Sequence, residues 1–465
     1  MLLTIVALTA VYRGFLGLAT VGGTSVGTWV IDGITAICGV ALVLALAVRQ
    51  RPVASPWLLS SFGGLVAVSL VLCLVSPEPW GVKLLALRNQ VLYAVLAVYG
   101  VQFLSAAGAR TVEAIVRWAG LGIAVFGMLQ FFLRAVLPEW LLKPADAGLF
   151  GYWGTDIVRA NGLVGNTIVY AALLLLLLAM WWTRVFAAQG RTRWIALAAT
   201  VMVCGAMLAT FSRMGMLLGF AILAVTPVFA AARRGRRALI RTGGTLVGVA
   251  LVGILVALIV EPLRDRVLNS WIVRELFSQG NASVTESTDL HFEMIEMALR
   301  HLQGSPLLGI GYGTQSAGSA FSTSSDVITD GAHWATLTEG GLLLTAVTLA
   351  FFVIIVVRLF RAWRHAPDHV DASRALAVAL YVCAQFFIAS LLNSGFYGKA
   401  PFVTFWIVAG CALVAASGAP RKPDAAADPS GEVNVPEHRQ ESARVPASGA
   451  QATSTRRRDP DRKED

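Results

Sequence analysis

Runs of about 20 consecutive apolar residues recur along most of this sequence, and no other feature constrains its fold as strongly. A helix of that length crosses roughly 30 Å of hydrocarbon with its backbone hydrogen bonds satisfied internally. Because 56% of the residues are hydrophobic and only 14% are charged, one soluble core could not cover the apolar surface. We therefore predict an all-α, polytopic integral membrane protein with about 12 transmembrane helices. The predicted spans are residues 2–19, 27–48, 57–75, 84–107, 112–134, 166–187, 194–211, 214–232, 239–260, 334–357, 375–393 and 401–417.

The distribution of arginine predicts the orientation of the chain. Basic clusters fall on alternate connections between the predicted spans, and such clusters mark cytoplasmic loops. Both termini are therefore expected in the cytoplasm. The first apolar run lacks a basic leader and a small-residue cleavage site, so we expect a retained helix and not a signal peptide. The clusters contain Arg49, Arg51, Arg110, Arg117, Arg184, Arg191, Arg193, "RRGRR" at 233–237, Arg241, Arg358, Arg361, Arg364 and Arg374.

Four regions follow from these patterns. Residues 1–260 contain the first nine spans, 261–333 form one large external loop, 334–417 contain the last three spans, and 418–465 form a disordered cytoplasmic tail. The net charge of +10 reflects topology, since arginines at cytoplasmic helix ends face anionic headgroups. The expected partner is therefore the lipid bilayer and not nucleic acid. All five cysteines lie in apolar runs and are predicted to be core residues.

Several basic residues lie on the external side of this predicted topology. Arg159 precedes the sixth span, Arg213 occupies a tight turn in "TFSRMGM", and Lys83 and Arg88 begin the fourth span. Guanidinium groups gathered at one depth repel unless an anion lies between them, and a phosphate or diphosphate matches their planar fork. The alternative is that each arginine extends separately to lipid headgroups.

The external loop 261–333 carries its own pattern. Apolar residues recur at helical spacing from Asp289 to His301, with Thr288 or Asp289 as the N-cap, which predicts an amphipathic helix along the membrane surface. "GSPLLGIGYG" then ends the helix and allows a tight backbone path at Gly309, Gly311 and Gly313. The loop closes at His333, directly before Trp334 and the tenth span. His333 is either a functional residue or an interfacial anchor beside Trp334.

The order of these motifs resembles the bacterial O-antigen ligase and O-antigen polymerase superfamily. The resemblance covers roughly residues 80 to 410 and rests on "RANGLVGN", "SRMG", "PLLGIGYG" and the following histidine. It implies an active site at the outer membrane face, where arginines hold the diphosphate of an undecaprenyl-linked glycan. Arg159 and Arg213 match those arginines by position, Pro306 to Gly311 matches the family's glycine-containing loop, and His333 matches its downstream histidine.

One position departs from the family pattern. Family members commonly carry an arginine a few residues into the loop helix, where this sequence has His291. Either His291 contacts phosphate as an imidazolium, or a neighbouring arginine takes the role. The alternatives are Arg264, Arg266, Arg274 and Arg300.

The resemblance implies a metal-independent membrane glycosyltransferase of cell-envelope polysaccharide biosynthesis that needs no cofactor. In this hypothesis His333 is the general base for an acceptor hydroxyl, and Arg159, Arg213, Arg88 and His291 bind the polyprenyl diphosphate of the donor. The acceptor is a glycan or glycolipid, and the site faces outward from the cytoplasmic membrane.

Other activities remain open at this point. A polymerase of lipid-linked repeat units would need the same residues as a ligase. A transporter or flippase for lipid-linked sugars would also explain the helices, although the sequence lacks symmetric halves. A metal-dependent glycosyltransferase is disfavoured because the first external connection, "TVGGTSVG", contains no Asp or Glu.

Overall fold

The computed structural model describes residues 1–16, 20–21, 24–48, 55–142, 159–164, 166–245, 282–315, 331–366 and 368–416. All of them belong to one unit of the chain, Met1–Ala419. The predicted ninth span lies mostly outside these residues, about half of the external loop lies outside them, and the predicted tail lies entirely outside them.

The described part is built from helices, as the apolar runs predict. One short antiparallel pair, β1 (Thr20–Val21) and β2 (Thr24–Ser25), joins the first helices. The helices are α1 (Leu2–Val11), α2 (Arg13–Leu16), α3 (Val26–Ala47), α4 (Pro56–Val75), α5 (Trp80–Gln90), α6 (Val95–Phe103), α7 (Ala106–Phe132), α8 (Glu139–Leu142), α9 (Thr167–Ala187), α10 (Gly190–Ala209), α11 (Arg213–Ala232), α12 (Ala282–Gly304), α13 (Ala332–His365), α14 (His369–Tyr381) and α15 (Lys399–Ala416).

The prediction of a polytopic all-α membrane protein is confirmed. Within the described residues, nine helical segments are long and apolar enough to cross a membrane, and two shorter apolar helices, Leu2–Val11 and Lys399–Val414, accompany them. The first predicted span was too long, because α1 ends at Val11 and the chain turns at Tyr12 before α2. The fifth span begins earlier than predicted, at Ala106, where Ser105 caps the helix by accepting a hydrogen bond from Gly108 N–H.

Helix α9 lies at the centre of the bundle. It packs against α7, α10, α11, α14 and α15, and its six consecutive leucines are all buried. A helix surrounded by protein on every side has no polar stripe, which explains its uninterrupted apolar sequence. By contrast, α3 and α4 are mostly exposed in the structure and present their apolar side chains toward the space that lipid would fill.

Three of the spanning segments are interrupted. A 3₁₀ turn at Leu92–Ala94 separates α5 from α6, and α13 breaks at Gly341, whose φ is 63° and ψ −162°. After α14 the helix widens into a π-helical stretch, Val382–Ile388. Non-helical backbone at membrane depth is tolerated where protein surrounds it, and such breaks often accompany functional sites.

The loop helix is present but starts earlier than predicted. Helix α12 begins at Ala282, so Thr288 and Asp289 lie inside it and the N-cap assignment was wrong. Its described side chains include the buried Ala298, which matches the predicted apolar face. All five cysteines are free, and Cys38, Cys73 and Cys411 are buried as predicted, whereas Cys204 and Cys383 are only half-buried.

Candidate functional site

The connection "RANGLVGN" before α9 is fixed by a buried amide pair. Gln130 of α7 accepts hydrogen bonds from the N–H groups of Asn161 and Gly162 at 3.2 and 2.8 Å, and its own amide donates to Asn161 Oδ1 at 3.1 Å. The chain then takes positive φ at Gly162 and Leu163, with values of 59° and 56°. A Cβ on Gly162 would lie 2.4 Å from the Tyr170 ring, so only glycine fits.

Arg159 lies at the start of this connection and holds the tight turn between α10 and α11. Its Nε donates to Thr210 O at 2.8 Å and its Nη2 donates to Phe211 O at 3.2 Å. Phe211 has a positive φ of 51°, which is rare for a bulky residue. Arg159 therefore stabilises a strained turn whose next residues are Ser212, the cap of α11, and Arg213, its first residue.

Arg213 is close enough to Arg159 to influence the pKa of the Arg159 guanidinium. Burial and the positive charge of Arg213 lower the pKa of Arg159 to about 10, so Arg159 is cationic at neutral pH. Residues 54 positions apart in sequence thus lie within electrostatic range of each other. Two nitrogens of Arg159 donate to carbonyls, and its role as a diphosphate ligand stays a prediction.

His333 is the second residue of α13, and its orientation is set by a backbone carbonyl. His333 Nε2 lies 2.7 Å from Phe386 O, and its ring meets the Phe386 ring edge-on with centroids 4.7 Å apart. A carbonyl oxygen only accepts, so Nε2 carries the proton and Nδ1 keeps its lone pair. The neighbouring Trp334 donates from Nε1 to Leu391 O at 3.0 Å and anchors the helix end. Trp334 therefore also anchors this end of α13, a role that we considered for His333.

A chain of backbone contacts places His333 at the same end of the bundle as the α10–α11 turn. The N–H of Ala332 donates to Asn393 O at 3.3 Å, and Gly395 packs against the carbonyl of Ile168 in the first turn of α9. Ala160, directly after Arg159, donates its N–H to Ala209 O at 2.9 Å. We call this end, which carries Arg159, Arg213 and His333, the site end.

The glycine-containing loop docks onto the break in α13. The N–H groups of Ile310, Leu342 and Leu343 donate to the carbonyls of Thr338, Pro306 and Leu307 at 2.9, 2.9 and 3.3 Å. The loop thereby satisfies backbone groups that the break at Gly341 leaves open. A Cβ on Gly341 would lie 2.4 Å from Leu307 C, and one on Gly309 would lie 2.4 Å from Thr338 O.

The tight path predicted for this loop is confirmed, since Gly309, Gly311 and Gly313 all have positive φ. The close approach, however, is to protein backbone and not to an open cavity. Sequence reasoning missed Glu339, a buried carboxylate that accepts from Gln315 N–H at 2.8 Å and from Gln90 Nε2 at 3.2 Å. Glu339 thus ties the loop to both α13 and α5.

Arg88 belongs to a different cluster from the one we predicted. Its Nη1 lies 3.3 Å from Asp32 Oδ2, Lys399 Nζ lies 3.7 Å from the same oxygen, and Tyr93 donates its hydroxyl to Asp32 Oδ1 at 2.6 Å. Arg13 lies within electrostatic range of Tyr93 and Lys399. The signal in the sequence was Asp32 itself, because a carboxylate inside an apolar run marks a candidate functional position.

The remaining predicted phosphate ligands are only partly described. The side chain of His291 lies outside the described residues, and so do Arg264, Arg266 and Arg274. Arg300 is exposed and forms a surface ion pair with Glu296 at 2.6 Å, one helical turn away. Arg300 therefore pairs with Glu296 on the same helix. The role of His291 as a phosphate ligand stays a prediction.

Comparison with known proteins gives little further guidance. No protein-family model and no curated protein matches this chain. Among solved structures, one protein chain is similar to this one, with 17% sequence identity and a TM-score of 0.42. It belongs to the structure described as "Structural coordination of polymerization and crosslinking by a peptidoglycan synthase complex". The similarity covers 77% of this chain and 96% of that chain. A likeness this weak supports no statement about the activity of this protein.

Proposed function

We propose that this protein is a metal-independent membrane glycosyltransferase that resembles O-antigen ligases. It would transfer a glycan from a polyprenyl-diphosphate-linked donor to an acceptor hydroxyl at the outer face of the cytoplasmic membrane. The observation that carries the proposal is the orientation of His333. Phe386 O holds the Nε2–H tautomer, so the Nδ1 lone pair is available as a base at the end of the bundle where two arginines converge.

The proposed reaction divides the work between these groups. The acceptor oxygen attacks the anomeric carbon while its proton passes to His333 Nδ1, and the bond from that carbon to the donor diphosphate breaks. The bond electrons leave with the diphosphate, whose charge is stabilised by Arg213 and by the remaining donors of Arg159. The hydrogen bond from Nε2 to Phe386 O stabilises the imidazolium that forms.

Arg159 acts in this proposal chiefly by positioning Arg213. Its bonds to Thr210 O and Phe211 O hold the turn that presents Arg213, and its Nη1 has no hydrogen-bond partner among the residues that the structure describes. Arg88 and Lys399 add positive charge around Asp32 at the same end of the bundle. His291 is retained as a further phosphate ligand.

Transfer by the purified protein tests the proposal. The wild-type protein in detergent is incubated with a radiolabelled polyprenyl-diphosphate glycan and an acceptor glycolipid, and products are separated by size and lipid attachment. The proposal predicts a new glycosidic bond without added metal. A transporter would give no product under any of these conditions, because detergent leaves no two leaflets between which it could move the donor.

The proposed orientation has its own test. Gln303, on α12 next to the loop, and Gln189, in the α9–α10 connection, are both exposed and lie toward opposite ends of the bundle. In a cysteine-free background, an impermeant thiol reagent on intact cells should label Gln303→Cys and should label Gln189→Cys only after permeabilisation. The reverse pattern would place the site end in the cytoplasm and exclude an outward-facing transferase.

A further inference from the structure

The end of the bundle opposite to the site end contains an open groove with a polar half and an apolar half. The polar half is a cavity of about 430 Å³, and Phe186, Gln189, Arg193, Arg234 and His369 are among its lining residues. It continues into a second cavity of about 410 Å³ that shares Val185, Phe186 and Arg193. That second half is lined mainly by apolar side chains, including Trp182, Trp194 and Leu197.

The arginines of this groove differ from their neighbours at the same end. No residue that lines either cavity is acidic, and neither Arg193 nor Arg234 has a carboxylate partner in the described part of the chain. Arg234 donates to Phe186 O at 3.3 Å, which holds its guanidinium at the cavity wall. Two exposed cations and a histidine around one cavity create a local positive potential.

The apolar half has the geometry of a site for a hydrocarbon chain. Trp182 is fixed because its Nε1 donates to Leu223 O at 3.0 Å, and Trp194 remains 70% exposed at the first turns of α10. Tryptophans at helix ends lie at the level of the lipid headgroups. The groove therefore runs from a cationic headgroup zone to an apolar wall.

We propose that this groove binds one anionic phospholipid. The lipid phosphate lies between Arg193, Arg234 and His369, and one acyl chain follows Trp182, Trp194 and Leu197. Basic pockets between helices at this depth bind anionic headgroups, and the combined size of the cavities is in the range of small-ligand sites. This site is independent of the proposed transferase activity, because it lies at the opposite end of α9 from Arg213 and His333.

Native mass spectrometry of the detergent-purified full-length protein tests the proposal. The probes are palmitoyl-oleoyl phosphatidylglycerol, phosphatidylcholine with the same chains, dihexanoyl phosphatidylglycerol and inorganic phosphate. Wild-type protein should retain one long-chain phosphatidylglycerol with at least about 10-fold higher affinity than each of the other three probes. Equal retention of phosphatidylcholine would contradict the headgroup assignment, and equal competition by inorganic phosphate would indicate a soluble anion as the occupant.

Matched variants locate the site. Arg193→Gln with Arg234→Gln should weaken phosphatidylglycerol binding by about 30-fold. Arg191→Gln with Arg236→Gln removes the same charge from exposed residues that do not line the groove, and should change the affinity by less than about threefold. Trp194→Ala should weaken binding of the long-chain lipid more than that of the dihexanoyl lipid. Equal losses in the two double variants would show that bulk charge, and not this groove, retains the lipid.

Discussion

Two clusters of charged side chains, at opposite ends of the helix bundle, differ in their balance of charge. At the end away from the site, Arg110, Arg117 and Arg374 face Glu113, Asp368 and Asp371, and the six side chains form a continuous network between α7 and α14. At the site end, Arg88 and Lys399 share the carboxylate of Asp32 among the described residues, and Arg159 donates to carbonyls. The first cluster pairs three cations with three carboxylates, whereas the cluster around Asp32 places two cations on one carboxylate.

Because of this difference, we expect the two clusters to contribute to different properties, one to folding stability and the other to ligand binding. A buried balanced network is strongly disrupted when one member is removed, because the others stay charged without compensation. Excess positive charge instead costs the folded state some repulsion, which an anionic ligand relieves. We expect substitutions in the balanced network to affect mainly unfolding, and those of Arg213 and His333 to affect mainly donor binding and turnover.

Glu113→Gln gives the largest expected loss of stability. Glu113 accepts from Arg117 at 2.5 Å and from Arg374 at 3.3 Å, and all three side chains are buried. The free energy of unfolding in detergent should fall by about 3 kcal/mol, with donor affinity unchanged. The control is Glu296→Gln, which removes an exposed ion pair with Arg300 and should cost less than about 0.5 kcal/mol. Similar losses in both variants would refute the buried network as a stabilising element.

Arg213→Ala should produce the next largest effect, this time on the donor. Loss of a charge-assisted contact to the diphosphate should weaken donor binding by about 2 kcal/mol, or roughly 30-fold. Arg213→Lys keeps the charge but loses the planar fork, and should give an intermediate value. Calorimetric titration with the lipid-linked donor measures both, with the exposed Arg191→Ala as control. Unchanged affinity in a folded Arg213→Ala protein would favour the lipid-headgroup interpretation of this arginine.

The smallest effects come from two serine caps at opposite ends. Ser212 accepts from Gly215 N–H at 3.2 Å and Ser105 accepts from Gly108 N–H at 3.1 Å. Replacing either by Ala should lower the free energy of unfolding by about 1 kcal/mol. Only Ser212→Ala should also weaken donor binding, by a few-fold, because Arg213 is the next residue. Equal donor affinity in the two variants would show that the α11 cap does not contribute to donor binding.

Much of the fold could be predicted from the sequence because lipid imposes a simple length rule. The runs that became α4, α9 and α11 were located within a few residues. The start of α7 at Ala106 was missed, because the Ser105 cap and the ion pair of Arg110 with Asp371 of a distant helix stabilise this first turn. Similarly, α12 extends to Ala282 across a polar stretch that helical periodicity does not reveal.

The site was only partly predictable for a related reason. Arg159, Arg213 and His333 stood out because polar residues are rare at helix ends on this side of the chain. Arg159 and His333 contact backbone carbonyls, at Thr210, Phe211 and Phe386, and the sequence pattern does not reveal such contacts. Asp32 and Glu339 were visible as carboxylates within apolar runs, but their partners come from α5, the 3₁₀ turn that follows it, α15 and the glycine-containing loop.

The most direct test of this account measures turnover and donor affinity together in His333→Ala, with Trp334→Phe as control. Trp334 is the adjacent residue and anchors the same helix end through its hydrogen bond to Leu391 O. Trp334→Phe removes that hydrogen bond, so it measures the effect of disturbing the start of α13 without removing His333. If His333 is the general base, His333→Ala should reduce turnover by roughly 10² to 10⁴ with donor affinity unchanged, and Trp334→Phe should retain most of the activity. Wild-type turnover in a folded His333→Ala protein, or an equal loss in both variants, would contradict the proposed role of His333.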